Sequence, residues 1–180
     1  LNRLSMEQCA AYYQSLGAAG TVEEIVAELG QCALNGYRAR VGEKPHAREF
    51  LELLHENRIP VAVATASNRE GVVLALERLG MLPFVDLFAT CGEVGSKEHP
   101  DIFLHCAEHF GASARESVVF EDSAYAIRTA KAAGFSVVAM EDAISTQGKG
   151  QGETLKARQA ADLYLRDYGE LIAKLAPEED

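Results

Sequence analysis

Positive charge and long apolar runs are both scarce in this sequence. Lys and Arg number 17 against 27 Asp and Glu in 180 residues, which gives a net charge of -10. A nucleic-acid surface needs clustered Lys and Arg to neutralise phosphates, so this composition argues against such a partner. No stretch approaches the roughly 18 apolar residues of a membrane-spanning helix, so no membrane partner is expected either. The hydrophobic and charged fractions, 48% and 24%, are those of an ordinary globular protein.

Cysteine is also sparse, and its spacing argues against clustered sites. Four cysteines lie far apart in the chain and form no C-x-x-C pair: Cys9, Cys32, Cys91 and Cys106. This spacing favours small buried apolar residues in a reducing cytoplasm over disulfides or a zinc site. We therefore predict a cytoplasmic protein.

The N-terminal part of the sequence predicts helices only. Ser5 is a candidate N-cap for a first helix, which would stop at Gly17. Thr21 is followed three residues later by a glutamate, the capping-box pattern at the start of a second helix. We predict that residues 1–42 are part of a helical cap subdomain and that residues 43–180 form an α/β core.

From residue 45 onward, helix-like and strand-like segments alternate. The run "IPVAVATAS" is short, continuous and rich in β-branched residues, as in strands that are buried on both faces of a parallel sheet. Such alternation implies right-handed βαβ crossovers and an α/β fold with a doubly wound parallel sheet. Residues 142–160 interrupt it. The glycines around Lys149 fail the spacing of a phosphate-binding loop, so a solvated, flexible connection is predicted. The other predicted strands lie in "VDLFATCG", "SVVFED", "SVVAMED" and "ADLYLRDYGELIAKLA".

Polar residues that follow the predicted strands are the candidate site, because open parallel sheets bind ligands beyond the carboxyl ends of their strands. A hydroxyl with free backbone N–H groups at a helix start can hold phosphate oxygens, and lysine supplies a compact positive charge. Paired carboxylates suit Mg²⁺, which binds through one or two carboxylates together with phosphate and water. By itself, the acidic pair is equally well explained as a helix N-terminal cap. The residues are Thr65, Ala66, Ser67 and Asn68, then Ser96 and Lys97, then Glu121, Asp122 and Ser123.

Three of these segments, taken in order, resemble a known family. The segments "VAVATAS", "SKEHPDIF" and "VVFEDSAYAIRTAKAAG" resemble the second, third and fourth motifs of the haloacid dehalogenase-like hydrolases. The resemblance is to the branch that contains β-phosphoglucomutase and phosphoglycolate phosphatase, and it extends from about Pro45 to Asp142. It implies an α/β core with a helical cap that closes over the site, excludes water and determines substrate choice.

The resemblance also implies roles for the phosphate-binding residues. Thr65 and the N–H of Ala66 would bind the transferring phosphate, and Lys97 would neutralise it together with the phosphoaspartate that forms. Ser67 and Asn68 match positions that can contact the leaving group or a sugar phosphate.

The acidic pair has a metal-binding role under the same resemblance. Asp122 would bind Mg²⁺, and Glu121 would be a second ligand or a partner in the outer shell. The expected partner is a small phosphorylated metabolite.

One motif of the family has no counterpart in this sequence. The family begins with D-x-D-G-T, whose first Asp is the nucleophile and whose second is the general acid/base, and no D-x-D occurs here. The strand with that motif lies between the "VAVATAS" and "VVFED" strands. Losing a buried strand would cost on the order of 10 kcal/mol, comparable to the stability of a whole domain. We therefore expect that the nucleophile lies upstream of Leu1 in a longer protein, and that this chain alone has no turnover.

Several functions stay open from the sequence alone. The favoured one is a Mg²⁺-dependent phosphatase for a sugar phosphate or another small phosphorylated metabolite. A sugar-phosphate mutase like β-phosphoglucomutase and a catalytically inactive binding protein are the alternatives. A phospho-receiver domain is disfavoured, because it does not explain the leading helices and needs an acceptor Asp where Thr65 stands. Neither the substrate nor the oligomeric state can be deduced from the sequence.

Overall fold

The computed structural model describes residues 6–142 and 151–175. It contains two leading helices followed by alternating strands and helices. The helices are α1 (Met6–Ser15), α2 (Val22–Ala39), α3 (Ala47–Glu56), α4 (Arg69–Arg78), α5 (Cys91–Val94), α6 (Asp101–His109), α7 (Ala124–Ala132), α8 (Gln151–Ala160) and α9 (Gly169–Leu175). The strands are β1 (Ala62–Thr65), β2 (Leu87–Thr90), β3 (Val118–Glu121), β4 (Ser136–Met140) and β5 (Leu163–Leu165), and short 3-10 turns occupy Leu82–Phe84 and Ala114–Glu116.

Helices α1 and α2 form a hairpin whose turn follows local sequence signals. Gly17 has a φ of 98° just after α1, a conformation that glycine adopts without steric cost. At the start of α2, the Thr21 hydroxyl accepts the Glu24 N–H at 3.2 Å, and the Glu24 carboxylate accepts the Thr21 N–H at 2.8 Å. The predicted capping box is therefore confirmed. The predicted N-cap Ser5 lies outside the described residues.

The strands are parallel, as predicted, but the described residues form two sheets instead of one continuous sheet. Strands β1 and β2 pair with each other, and β3, β4 and β5 form a three-stranded sheet in that order. The division falls between β1 and β3. This is the position where the resemblance places the strand of the D-x-D motif.

Burial differs between the strands according to their neighbours. In β4, which has a strand on each side, Val137 to Met140 are buried. In β1 every residue is only half-buried, so the prediction that this run is buried on both faces was wrong. The physical reason is that β1 has a strand partner on one side only among the described residues.

Helices cover both faces of the three-stranded sheet. Val137 and Ala139 of β4 pack with apolar residues of α6 and α7. Val138 and Met140 point the other way and pack with Leu165, with α9 at the edge of that cluster. Successive residues of a strand face opposite sides, so both sides of β4 carry a core. The doubly wound arrangement is confirmed.

The predicted flexible connection over residues 142–160 is wrong in its second half. Gln151–Ala160 is helix α8, and Ala157 is buried in the main core beside α7. An apolar contact of this kind outweighs the low helix propensity of the glycine near the start of the segment. Lys149 and its flanking glycines lie outside the described residues.

Two expectations from composition have mixed outcomes. The four cysteines are free, but none is fully buried: Cys32 is exposed, and Cys9, Cys91 and Cys106 are half-buried. In the described ranges, no helix combines the length and apolar character needed to cross a bilayer. The cytoplasmic location and the domain boundary after residue 42 stay predictions.

Candidate active site

The candidate residues lie at the carboxyl ends of parallel strands. Thr65 ends β1 and is in register with Thr90, which ends β2. Glu121 ends β3 and is in register with Ala139. Because paired parallel strands end at the same edge, each sheet presents its polar residues at one edge.

A buried ion pair connects the loop after β2 with the end of β3. Lys97 Nζ lies 2.6 Å from Glu121 Oε2, and the two side chains are 15% and 6% exposed. The other oxygen, Oε1, accepts the backbone N–H groups of Asp122 and Ser123 at 3.0 Å each. Every oxygen of this buried carboxylate therefore has a partner, as buried charges require.

The environment keeps Glu121 ionised. Burial raises the pKa of Glu121, but the Lys97 ammonium and the hydrogen bonds from Lys97 and the following residues outweigh it, so the pKa lies below its ordinary value. The resemblance implied that Glu121 is either a second metal ligand or a partner in the outer shell. Its two oxygens are already held by Lys97 and the backbone, which suits a role in fixing the lysine.

Asp122 lies beside this pair in a different electrostatic setting. Loss of hydration is the largest cause that raises the pKa of Asp122, followed by the hydrogen bond and charge of Glu121, and Asp142 adds to the effect. Lys44 acts in the opposite direction, while its Nζ donates to the carbonyl of Glu141 at 2.8 Å. A nearby cation stabilises the ionised form of a carboxylate whose pKa is raised.

The Asp122 carboxylate fits Mg²⁺ as one ligand among several. Within residues 6–142 and 151–175, no group of three or more His, Cys, Asp or Glu side chains has a metal-binding arrangement. Mg²⁺ usually takes one or two protein carboxylates and completes its octahedron with water and phosphate oxygens. Asp122 can supply one such carboxylate.

A second group of candidate residues surrounds the start of α4. Thr65 Oγ1 accepts the backbone N–H of Ser67 at 3.0 Å. Asn68 is the N-cap of α4, where its Oδ1 accepts the N–H of Gly71 at 3.3 Å. Ala66 lies between these residues in the loop. Asn68 was predicted to contact the substrate. Its side chain also caps α4.

Hydrogen bonds and ion pairs join the predicted site residues into two separate groups. Lys97, Glu121, Asp122 and Ser123 form one connected group, whereas the residues that follow β1 form another. Across the described part of the chain, no direct hydrogen bond or ion pair joins the two groups. The predicted convergence of Thr65, Lys97 and Asp122 on one phosphate stays a prediction.

Sequence reasoning missed two residues at this edge. Tyr37 of α2 donates its hydroxyl to Ser67 Oγ at 2.6 Å, and Lys44 acts on Asp122. Tyr37 precedes Ser67 by 30 positions and sits in a helix whose pattern carries no chemical motif. A resemblance based on motifs after strands has no signal for either residue.

Comparison with known proteins defines the family. The sequence model described as haloacid dehalogenase-like hydrolase matches residues 2–134, and the chain belongs to this family. The match includes the helical hairpin and all three motif segments, so the resemblance deduced from the sequence is confirmed.

Curated relatives with phosphatase names align with part of the chain. A Drosophila melanogaster protein named "Probable pseudouridine-5'-phosphatase" is 33% identical over 132 residues, which cover 69% of this chain and 57% of that protein. The fructose-1-phosphate phosphatase YqaB of Escherichia coli is 37% identical over 82 residues, which cover 45% of this chain and 44% of that protein. The chain thus spans about half the length of the curated relatives it matches.

Solved structures share the fold at low sequence identity. A predicted phosphoglycolate phosphatase from Haemophilus somnus superposes with a TM-score of 0.77 at 16% identity, covering 95% of this chain and 76% of that one. CbbY from Rhodobacter sphaeroides, in complex with xylulose-(1,5)bisphosphate, superposes with a TM-score of 0.71 at 20% identity, covering 94% and 76%. At these identities the likeness establishes the α/β fold alone.

Proposed function

We propose that this chain is part of a Mg²⁺-dependent phosphatase that acts on a small phosphorylated metabolite through an aspartyl-phosphate. The observation that carries the proposal is the ion pair that holds Lys97 at the end of β3, beside Asp122. A fixed cation next to a carboxylate with a raised pKa is an arrangement suited to a phosphate group and its metal.

The names of the relatives support a sugar-containing substrate. Besides the two above, they include a phosphorylated carbohydrates phosphatase of Thermotoga maritima and a ribulose-1,5-bisphosphate 5-phosphatase of Halopiger xanaduensis. Each of these four names joins a phosphate to a sugar, a carbohydrate or a nucleoside. We take a sugar phosphate or a nucleotide-like phosphate as the substrate class.

Under this proposal, each residue has a defined task. The Thr65 hydroxyl and the Ala66 N–H would bind phosphate oxygens, and Ser67 and Asn68 would face the group attached to the phosphate. Lys97 would neutralise the phosphate, with Glu121 holding the lysine in place. When bound, Mg²⁺ would stabilise negative charge on the phosphoryl oxygens.

Asp122 would hold the Mg²⁺. Its raised pKa supports this task, because the surrounding negative charge favours a bound cation over a bare carboxylate. The α1–α2 hairpin would be part of the cap.

The nucleophile would come from a strand that lies between β1 and β3. Two observations support this position: β1 and β3 each have one strand partner among the described residues, and both are incompletely buried. A strand ending in D-x-D would pair with both edges. Its aspartates would then emerge at the edge where Thr65 and Glu121 end their strands.

An apolar cavity gives further support for such a strand. A cavity of about 230 Å³ is lined by Val72, Ala75, Leu76 and Leu79 of α4 and by Tyr168, among others. The Tyr168 ring contacts Phe120 of β3, with the ring centroids 5.8 Å apart. The cavity is therefore bounded by α4, the helix after β1, on one side and by Tyr168, whose ring contacts β3, on the other. Apolar side chains of an intervening strand could fill it.

The decisive experiment compares this chain with one extended upstream to its natural start. We expect Mg²⁺-dependent phosphate release from a panel of sugar phosphates by the extended protein only. Asp122→Asn should abolish this release and weaken Mg²⁺ binding measured by calorimetry. Glu108→Gln, which changes an exposed glutamate of α6 outside the motif segments, is the matched control and should leave both unchanged.

Other outcomes separate the alternatives. Conversion of a sugar phosphate into its isomer without net phosphate release, followed by ³¹P NMR, would indicate a mutase. Binding of phosphorylated ligands without turnover, with an upstream segment that lacks D-x-D, would indicate an inactive binding protein. An inactive extended protein whose Mg²⁺ affinity does not respond to Asp122→Asn would refute the proposal.

A further inference from the structure

Tyr37 connects the helical hairpin to the loop after β1. Its hydroxyl donates to Ser67 Oγ at 2.6 Å, and its ring lies against α4. A Cβ built on Gly71 would lie 2.7 Å from Tyr37 Cδ2. The ring can approach α4 this closely only because position 71 is glycine, which has no Cβ. Arg78 also donates to the carbonyl groups of Tyr37 and Val41. The tyrosine is therefore held from both its ring and its backbone.

A second hydroxyl of the candidate phosphate site, that of Thr65, also accepts a hydrogen bond. Ser67 N–H donates to Thr65 Oγ1 at 3.0 Å. A serine or threonine hydroxyl has one proton to donate and two lone pairs that accept. Both hydroxyls thus receive a hydrogen bond, and among the described residues neither donates its own proton to a protein group. The two protons stay available for an acceptor outside the chain.

A phosphate oxygen is the acceptor that this arrangement suits. Phosphate presents several oxygens that accept and, when ionised, none that donates, so it requires donors. Hydrogen bonds from neutral hydroxyls to a charged oxygen are stronger than those between neutral groups. Because Ser67 Oγ accepts from the Tyr37 phenol, its own proton is not used in that contact and can be directed at the phosphate.

We propose that Tyr37 is a positioning residue that fixes the hydroxyl of Ser67 as a donor to a phosphate group, beside the hydroxyl of Thr65. This inference rests on the proposed function, since it concerns the same phosphate site. It also couples the hairpin to the site: displacement of α2 removes the donor from Ser67 and weakens phosphate binding. By thermodynamic reciprocity, bound phosphate stabilises α2 in its docked position.

The test measures binding of inorganic phosphate, in the presence of Mg²⁺, to the upstream-extended protein by ¹H–¹⁵N NMR titration. Tyr37→Phe keeps the ring against Gly71 and removes only the hydroxyl. We expect its phosphate affinity to fall by about 2- to 10-fold, the range for one hydrogen bond. Tyr12→Phe removes a hydroxyl from an exposed tyrosine of the same hairpin and should leave the affinity unchanged.

A double variant separates positioning from a general structural effect. Because Tyr37 acts through Ser67, the pair Tyr37→Phe with Ser67→Ala should bind phosphate no more weakly than Ser67→Ala alone. Thermal unfolding of each variant verifies that the fold is retained. Losses of affinity that add in the double variant would overturn the inference.

Failure of the inference can be told apart from failure of the proposed function. If the extended protein with Tyr37 intact binds phosphate and its Tyr37→Phe variant binds it equally well, only the role of Tyr37 is refuted. If the extended protein with Tyr37 intact shows no phosphate-dependent shifts at all, the phosphate site itself is refuted, and the role of Tyr37 with it.

Discussion

Strands β3 and β4 are neighbours with similar apolar sequences, yet they differ in burial. Val118 of β3 is 54% exposed, whereas Val137 of β4 is 0% exposed. Among the described residues, β4 is paired on both sides and β3 on one, and Val118 also stands at the start of its strand, in register with the exposed Ser136 of β4. Apolar composition makes a strand suitable for burial, but its neighbours decide whether burial occurs.

The polar end of β3 shows the opposite behaviour. Glu121 is buried although it ends a strand whose first valine is exposed. Its carboxylate is held by Lys97 and two backbone N–H groups. The carboxyl end of β3, which carries Glu121, is thus buried, whereas its amino end is exposed at Val118.

The largest expected effect concerns the buried carboxyl end of β3, at the ion pair between Lys97 and Glu121. Lys97→Met leaves the Glu121 carboxylate buried without its cation, and we expect a loss of about 3–5 kcal/mol in the free energy of unfolding. Urea denaturation at neutral pH measures it.

A second ion pair of equal length provides the control. Lys131 Nζ also lies 2.6 Å from Asp162 Oδ1, but these side chains are 36% and 49% exposed. Lys131→Met should therefore cost no more than about 1 kcal/mol. Equal losses in the two variants would show that burial does not distinguish the pairs.

The next effect compares the two valines directly. Val137→Ala removes a fully buried side chain and should lower the free energy of unfolding by about 1.5–3 kcal/mol. Val118→Ala removes an exposed one and should change it by less than about 0.5 kcal/mol. Guanidinium titration of both variants supplies the numbers. A large loss for Val118→Ala in an upstream-extended protein would indicate that β3 is covered there.

A third comparison concerns two glycines near the hairpin. Gly71→Ala forces a methyl group into the Tyr37 ring, and overpacking of this kind costs about 1–3 kcal/mol. Gly30→Ala lies inside α2 with nothing within 4 Å of the added carbon, so it should stabilise the protein by up to about 1 kcal/mol through helix propensity. Thermal unfolding distinguishes the two signs. Stabilisation by both would contradict the close contact between α2 and α4.

The smallest effect is expected at Glu93, an exposed acid just after β2. The hydrogen bonds from the Arg69 guanidinium, and then from Thr90, lower the pKa of Glu93 to about 2. Because this pKa is lower in the folded state, its stabilising contribution is present above the ordinary pKa of about 4.5 and disappears as the pH falls towards 2. Carboxyl ¹³C NMR should show the low pKa, and Arg69→Met should raise it. An unchanged titration in that variant would remove Arg69 as the cause.

Local patterns in the sequence were sufficient to predict most helices and strands and the motifs. The capping box at Thr21, the alternation of strands and helices and the order of the polar residues after the strands all depend on neighbours within a few positions. Such signals are contained in any short window of sequence. The exception was α8, where a buried contact at Ala157 converts a segment with little helical pattern into a helix.

Contacts between distant positions were decided only by the tertiary structure. The sequence by itself determined the fold class, the family resemblance and the candidate residues at the strand ends. The path of the chain decided that Lys97 meets Glu121, that Tyr37 meets Ser67 and that the strands divide into two sheets. The reason is physical: no local preference of a tyrosine in a helix specifies a partner 30 residues away, because that pairing follows from how α2 packs on α4.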